Sequence, residues 1–171
     1  MKKILLLTIV ALGAFSSTMA QKWALVDMEY ILKNIPAYES ATQQIEQSSK
    51  KWEKEISALN TEIQTLYKNY QSEMVLLSDE QKKERAQEIV DKETQVKDLK
   101  RKYFGNDGEL YKKRESLMKP IQEEIYNAIK DIAEAKDYMR VDDRASSPSI
   151  LFANPAVDIS DEVLTKLGYA K

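Results

Sequence analysis

The feature that most constrains the fold is an apolar heptad repeat in the middle of the chain. One set of apolar residues recurs every seven positions, and a second set lies between its members, so the spacing alternates between three and four residues. The two sets are Ile45, Trp52, Leu59 and Leu66, and Ile56, Ile63, Tyr70 and Leu77. This alternation is typical of helices that pack through one apolar seam as a coiled coil. Charged and amide side chains fill the gaps, as in KKWEKE, so we predict a long helix here.

A signal for a new helix follows directly after this repeat. Ser78 stands three residues before Gln81, which is the spacing of a capping box, where each side chain bonds the backbone N–H of the other residue. Beyond it the apolar seam resumes at Ile89, Val96, Tyr103, Leu110 and Leu117, and continues through Ile121, Ile125, Ala128 and Ile132. We therefore predict a tight turn near residues 77–79 that folds the chain back on itself.

Folding the chain back at this turn brings one heptad phase against the other along the whole length. The pairs would be Leu66 with Ile89, Leu59 with Val96, Trp52 with Tyr103, and Ile45 with Leu110. This register predicts an antiparallel helical hairpin over residues 37–136, with arms of roughly 60 Å and a left-handed wrap. The second phase of the return arm holds Glu93, Lys100 and Arg114, where a tight coil has Leu or Ile. We expect a thin hairpin that depends partly on its base for stability.

Two glycines in the stretch YFGNDGEL disturb the return arm. Gly105 and Gly108 each disfavour a helix interior by about 1 kcal/mol relative to Ala, although the heptad phase continues across them. In one interpretation the helix ends at Phe104, Gly105 forms a left-handed cap, and Asn106 begins a new helix with Glu109 completing a capping box.

In the other interpretation the helix continues through the glycines. Small Gly105 then makes room for Trp52, which the register places close to it. The preserved phase favours this continuity, because a true restart usually adds or drops residues. The sequence therefore predicts at most a kink within residues 104–108, beside Trp52, that acts as a soft joint.

The segments outside the hairpin, residues 21–36 and 137–171, predict a small β body. Three short stretches have β character, namely Trp23–Asp27, Tyr138–Asp143 and Ile150–Ala153, and the chain ends in a short amphipathic helix after NPAVDISDE. Asp27 is expected to cap a short helix over Met28–Lys33, and Pro36 to begin the long helix.

Three short strands and a terminal helix enclose little core in one copy, and small cores usually need cross-links or partners. The chain has no cysteine and no histidine, so self-association is the remaining source of stability. The predicted fold class is α+β: a long antiparallel helical hairpin, or coiled-coil tentacle, on a small β body completed by oligomerisation. Periodicity alone allows a dimer as well as a trimer. The candidate interface residues are Trp23, Leu25, Val26, Leu151 and Phe152, expected in strands between or beneath subunits.

Residues 1–20 have the layout of a secretory signal peptide. Two lysines precede an apolar run from Ile4 to Phe15, and Thr18 and Ala20 are the small residues that suit cleavage after Ala20. The alternative, a membrane anchor, needs about 20 apolar residues, more than this run contains. We predict a cleaved signal peptide and an exported protein without a stable membrane insertion.

Composition excludes several classes of function. Removing Lys2 and Lys3 with the signal peptide leaves 24 basic against 28 acidic residues, which argues against the basic face of a nucleic-acid binder. Without histidine or cysteine the chain has no Ser-His-Asp or Cys-His catalytic group and no common metal ligand beyond carboxylates. We find no phosphate-binding glycine loop. The sequence therefore predicts no enzyme, no catalytic residue, no metal site and no cofactor.

The order of these segments resembles the Skp/OmpH family of periplasmic chaperones. The motifs that carry the resemblance are VDMEYIL near Asp27, LMKPIQEEI around Pro120 and DISDEVLTKL at 158–167, while KYFGNDGELYKKR resembles the branch found in Bacteroidetes. The resemblance spans the mature chain and implies a homotrimer. In it, three hairpins surround a cavity that holds unfolded outer-membrane proteins without ATP. Better-known members are strongly basic and this chain is mildly acidic, so no lipid-binding residues are carried over.

A holdase needs apolar groups that clients can reach. Val75 and Leu76 lie off the seam beside Met74 and Leu77, and form an apolar cluster at the predicted tip. Tyr67 and Tyr111 also lie off the seam, although scattered surface apolar residues are ordinary. The client-contact candidates are Met74, Val75, Leu76, Leu77, Tyr67 and Tyr111. The alternative function is a non-catalytic exported coiled coil that acts as a structural or adaptor protein, which needs neither a cavity nor an apolar tip.

Overall fold

The computed structural model describes residues 22–169; the predicted signal peptide lies outside them. In chain order the elements are β1 (Trp23–Val26), α1 (Met28–Lys33), α2 (Pro36–Glu73), α3 (Asp79–Phe104), α4 (Glu109–Lys136), β2 (Arg140–Asp143), a 3-10 turn (Pro155–Val157) and α5 (Ser160–Lys166). They form two compact units. The first unit contains residues 22–31 and 128–169, and the second contains residues 32–127.

The second unit is a long bent helical hairpin. Residues 74–77 form its turn, in which the Leu76 N–H donates to the Glu73 carbonyl at 2.8 Å. The predicted capping box is confirmed: the Gln81 N–H donates to Ser78 Oγ at 3.3 Å, and the Ser78 N–H donates to Gln81 Oε1 at 3.0 Å. The cap fixes where the return arm begins, and so sets the register of the whole arm.

Between α2 and α3 the seam packs in the predicted antiparallel register. The rings of Trp52 and Tyr103 stack with centroids 4.8 Å apart, as the register requires. One apolar cluster contains Ile56, Ile63, Ile89, Val96 and Tyr103, with Trp52, Leu59, Leu66, Tyr70 and Leu99 packed against it. Across the arms Lys92 Nζ lies 2.8 Å from Glu62 Oε1. Because this pair is largely exposed, it adds little stability, and the apolar seam holds the arms together.

The predicted continuity of the return arm through its glycines is wrong. The α3 helix ends at Phe104 and α4 begins at Glu109, so residues 105–108 form a break. The left-handed cap of the other interpretation is also absent, because Gly105 has φ −66° and ψ 170°, an extended conformation. Nor does Asn106 start the new helix: the Lys112 N–H donates to the Gly108 carbonyl.

Close backbone packing is the physical reason for both glycines. The Gly105 N–H donates to the Arg101 carbonyl and the Gly108 N–H to the Gly105 carbonyl, each at 2.9 Å. A Cβ on Gly105 would lie under 3.0 Å from the Arg101 carbonyl oxygen, and one on Gly108 would lie 2.8 Å from that of Tyr103. The break has about the length of one helical turn of 3.6 residues, so the heptad phase survives a true interruption.

In the first unit, β1 lies parallel to β2. The paired residues are Trp23 with Arg140, Ala24 with Val141, Leu25 with Asp142, and Val26 with Asp143. The other edge of β1 also has a partner, since Leu25 bridges Asp158 and its carbonyl accepts the Ile159 N–H at 2.9 Å. The strand expected at Ile150–Ala153 is wrong: this segment is irregular. The Ile150 N–H turns back to the Ser147 carbonyl, and no described strand lies beside the segment to pair with it.

The core of this unit joins both ends of the chain. Its buried apolar residues come from β1, α1, the end of α4 and the C-terminal segment: Ala24, Leu25, Val26, Ile31, Ala128, Ile132, Ile159, Val163 and Leu164. The predicted cap of α1 is confirmed, because the Tyr30 N–H donates to Asp27 Oδ1 at 2.9 Å. Buried Ser160 accepts the Asp27 N–H at 2.8 Å and donates to Asp158 Oδ1 at 2.6 Å. The terminal helix is therefore held by apolar burial and by this polar link.

Ion pairs and hydrogen bonds of aspartate side chains add to the stability of the same region. Arg144 lies 2.9 Å from Asp27 Oδ2 and 3.6 Å from Asp158 Oδ2. The Tyr30 N–H and Arg144 together hold the pKa of Asp27 below its ordinary value, against partial burial. Burial opposes ionisation of Asp143 more strongly, but hydrogen bonds from Ser146 and from the backbone of Met28 and Ala145 outweigh it and lower the pKa.

We expect the first unit to lose stability in acid. A carboxyl whose pKa is lowered by folding stabilises the fold above its unfolded pKa, about 3.9, and that contribution disappears as the pH falls through the lower folded value. The free energy of unfolding should therefore fall between about pH 5 and pH 2. Trp23 fluorescence in a Trp52→Phe background, which leaves one tryptophan, measures it.

The matched variant for this prediction is Asp27→Asn. It keeps a good capping side chain and removes the titrating carboxylate that pairs with Arg144. Its stability should be lower at pH 7 and should change less with pH than that of the parent. Equal pH dependence in the two proteins would contradict the assignment to Asp27.

The break generates a second prediction. Gly105→Ala and Gly108→Ala should each destabilise the hairpin by roughly 1–3 kcal/mol, because a Cβ is forced against backbone. In a chain of this size each kcal/mol lowers the melting temperature by about 2–4 °C. Thermal melts followed by circular dichroism measure this, with Gln95→Ala, exposed within α3, as the near-neutral control. A raised melting temperature would contradict the break and favour the interpretation in which the helix continues through residues 105–108.

Candidate functional site

The turn of the hairpin exposes apolar side chains. Val75 is 89% exposed, Leu76 85% and Met74 45%, while Leu77 is half-buried. We call residues 74–77 the tip cluster. Val75 and Leu76 project into solvent because they lie in the turn and off the seam of the two helices. An apolar cluster kept at the end of a long hairpin is a surface for contact with another apolar molecule.

The two tyrosine candidates lie elsewhere. The Tyr67 hydroxyl donates to Glu93 Oε1 on the opposite arm at 3.1 Å, and this bond raises the pKa of Tyr67. Tyr67 thus links the two arms of the hairpin. The residue as a whole is 42% exposed. Tyr111 is half exposed on α4, beyond the whole of α3, whose 26 residues span roughly 39 Å. The structure therefore does not bring Tyr111 to the tip cluster.

A second exposed apolar surface lies on the first unit. Leu151 is 95% exposed, Phe152 84%, Met139 76% and Trp23 48%. These four residues, which we call the body patch, line an open groove of about 800 Å³ with Arg140, Asp142, Ser149 and Ile150. Apolar side chains this exposed and this close together mark an interaction surface.

The structure separates the five interface candidates into two groups. Trp23, Leu151 and Phe152 belong to the body patch, while Leu25 and Val26 are buried inside the single chain. Sequence reasoning missed Met139. Its signal was its place inside the predicted second strand, Tyr138–Asp143, and in the structure the Met139 N–H extends the ladder beyond β2 by donating to the Lys22 carbonyl at 2.8 Å.

The exposed apolar side chains that were not predicted include one on α3 and one on α4. Val90 on α3 is 50% exposed and Tyr126 on α4 is 65% exposed. Neither belongs to a cluster like the tip or the body patch, and single exposed apolar residues are ordinary on protein surfaces.

The tip cluster and the body patch are suited to binding another molecule through apolar contact. Within residues 22–169 no three or more Asp or Glu side chains are grouped so that they could hold a metal ion. In the same range no helix is both long and apolar enough to span a membrane. The exposed groups are methyl, thioether and ring surfaces, which bind other apolar surfaces without directional demands.

Comparison with known proteins supports one family. A search of curated proteins found no match. Among solved structures, the chain is similar to the crystal structure of a proposed outer membrane chaperone (OmpH-like) from Caulobacter crescentus. The TM-score is 0.69 at 13% identity, over 88% of this chain and 86% of the other. At this identity the similarity shows a shared fold.

The family model described as outer membrane protein (OmpH-like) matches residues 22–167. This range includes the three motifs that carried the resemblance in the sequence, and it confirms the predicted family. Because the match covers most of the chain, the protein belongs to the OmpH-like family.

Proposed function

We propose that the protein is an ATP-independent holdase chaperone of the periplasm that shields unfolded outer-membrane proteins. Three copies would form a homotrimer whose hairpins surround a cavity, with residues 1–20 removed as a signal peptide. Residues 21–36 and 137–171 would form the body and residues 37–136 the hairpin. Membership of the OmpH-like family and the name of the Caulobacter neighbour, an outer membrane chaperone, support this function.

The observation that carries the proposal is the exposed tip cluster on a long hairpin. A holdase must bind many unfolded chains weakly, so its contacts have to be apolar and adaptable. Val75, Leu76 and the flexible Met74 meet this requirement, and they lie off the seam. Their exposure lets them contact a client without any change in the packing of the arms.

Self-association of the body is supported by two features of the first unit. Its sheet has two strands, and the outer edge of β2 has no strand beside it among the described residues. An open edge of this kind is a template for pairing with another chain. The groove of the body patch includes Arg140 and Asp142 of β2, and the patch would supply the apolar area that a second copy buries.

The tip generates a direct test. Val75→Ser with Leu76→Ser should leave the melting temperature within about 1–2 °C of the parent, because both side chains already face water. The double variant should protect clients less well. The measurement is light scattering after an unfolded outer-membrane barrel protein is diluted out of denaturant with chaperone near one trimer per client.

The control is Val90→Ser, an exposed valine of α3 that lies away from the tip. It should protect clients as the parent does. Full protection by the tip variant would mean that shielding by a cavity suffices. If the parent itself fails to suppress aggregation, the protein is better described as an exported structural or adaptor coiled coil.

The body patch generates a prediction on assembly. Leu151→Asp should dissociate the oligomer, because a carboxylate that is harmless on the exposed surface of one chain becomes costly once a second chain buries it. Sedimentation equilibrium measures the change. Leu76→Asp is the matched control, since Leu76 is nearly as exposed as Leu151 but lies at the tip. An unchanged mass for Leu151→Asp, or a folded monomer for the parent, would contradict the trimer.

A further inference from the structure

The C-terminal segment, residues 155–169, covers one edge of β1. The Leu25 carbonyl accepts the Ile159 N–H at 2.9 Å. Two residues further along, the Asp27 N–H donates to the Ser160 hydroxyl at 2.8 Å. The opposite edge of β1 pairs with β2. The C-terminal segment therefore occupies backbone groups of β1 that face away from its strand partner.

This cover differs from a strand, because it provides no new edge of its own. Residue 158 meets β1 through a single isolated bridge, and the chain enters α5 at Ser160. Ser160 bonds with its side chain where a strand would use a backbone carbonyl. The sheet has two strands, and none lies beyond the cover among residues 22–169. The ladder therefore stops at the C-terminal segment.

Side chains fix the cover in place. The Ser160 hydroxyl donates to Asp158 Oδ1 at 2.6 Å. Asp158 Oδ2 lies 3.6 Å from the Arg144 guanidinium, which also lies 2.9 Å from Asp27 Oδ2. These contacts close a ring from Asp27 through Ser160, Asp158 and Arg144 back to Asp27. Since Ser160 is 4% exposed, loss of its hydroxyl leaves the Asp27 N–H without this partner.

The helix α5 is held by other contacts. Val163 and Leu164 are buried in the core of the first unit. Lys166 Nζ lies 2.8 Å from Asp131 Oδ2, near the end of α4. Because these contacts do not involve the edge of β1, the pairing at residues 158–160 can loosen while α5 stays docked.

We propose that residues 158–160 form an autoinhibitory cover that keeps the edge of β1 from pairing with the β2 edge of a second copy. An exposed strand edge is a template for another strand, and the outer edge of β2 has no strand beside it among the described residues. A copy with both edges open can pair head to tail with further copies, and such contacts continue unless they close into a ring. With the cover in place, growth by this route stops. The cover requires neither the chaperone activity nor the trimer of the proposed function.

Hydrogen exchange resolved to single amides, on the client-free protein, tests the cover in Ser160→Ala. A single hydrogen bond shifts an equilibrium roughly two- to tenfold, so the Asp27 amide should exchange faster by about that factor. The internal control is the Met139 amide, which donates to the Lys22 carbonyl on the side of β2. It should exchange as in the parent.

Sedimentation velocity over a series of protein concentrations tests the association. Asp158→Ala with Ser160→Ala removes the side-chain links of the cover, and should give assemblies larger than those of the parent that grow with concentration. The matched control is Thr165→Ala, which removes a hydroxyl that bonds the Asp161 carbonyl within α5. It should sediment as the parent does. Where the double variant does not fold by circular dichroism, Ser160→Ala alone takes its place.

Two results would overturn the cover. In the first, the folded variant sediments like the parent at every concentration. In the second, the Met139 amide accelerates as much as the Asp27 amide, which would mean that Ser160 supports the sheet as a whole. A monomeric parent would end the proposed trimer but leave this comparison of parent and variant intact. Because no client is present, the aggregation assay of the proposed function is decided separately.

Discussion

The fold depends on the pairing of β1 along both of its edges. One edge bonds β2 and the other bonds residues 158–159, so both partners come from the far end of the chain. Closing a loop of more than a hundred residues has an entropic cost that grows only slowly with length. A short strand with two edges paired, and with Ala24, Leu25 and Val26 buried, offsets that cost. Residues 32–127, the second unit, are inserted between the two chain segments that this pairing joins.

Within the hairpin, the seam and the break make opposite demands. The seam needs an apolar heptad repeat that stays in phase along the return arm. The break needs the backbone of residues 105–108 to approach the backbone at the end of α3 closely. Both are met because the interruption has nearly the length of one helical turn, and because Gly105 and Gly108 carry no Cβ at the two closest approaches. The rings of Trp52, Tyr103 and Phe104 pack together at the end of α3. They add side-chain contacts where the helical hydrogen bonds of the return arm stop.

Much of this could be predicted from sequence, because the heptads, the capping box and the Trp52–Tyr103 register are periodic or local signals. A helix end at Phe104 was one of two interpretations, but the sequence favoured the wrong one, since the clash that requires Gly105 and Gly108 exists only once the chain has turned. The segment Ile150–Ala153 has the composition of a strand, but a strand also needs a neighbour that composition does not supply. For the candidate site, the sequence placed the tip residues together, while Met139 joined the body patch only through the fold.

The antiparallel register has a consequence for how such proteins change length over evolution. The Ser78 cap fixes the turn, so deleting seven residues from one arm keeps its seam nearly in phase but leaves it about 10 Å shorter than the other arm unless seven are lost there too. Arm length is therefore expected to vary in matched pairs of heptads. An insertion of four residues rotates the remainder of its helix by only about 40° relative to whole turns. Breaks of that size are accordingly the irregularities that a lineage can gain in one arm alone.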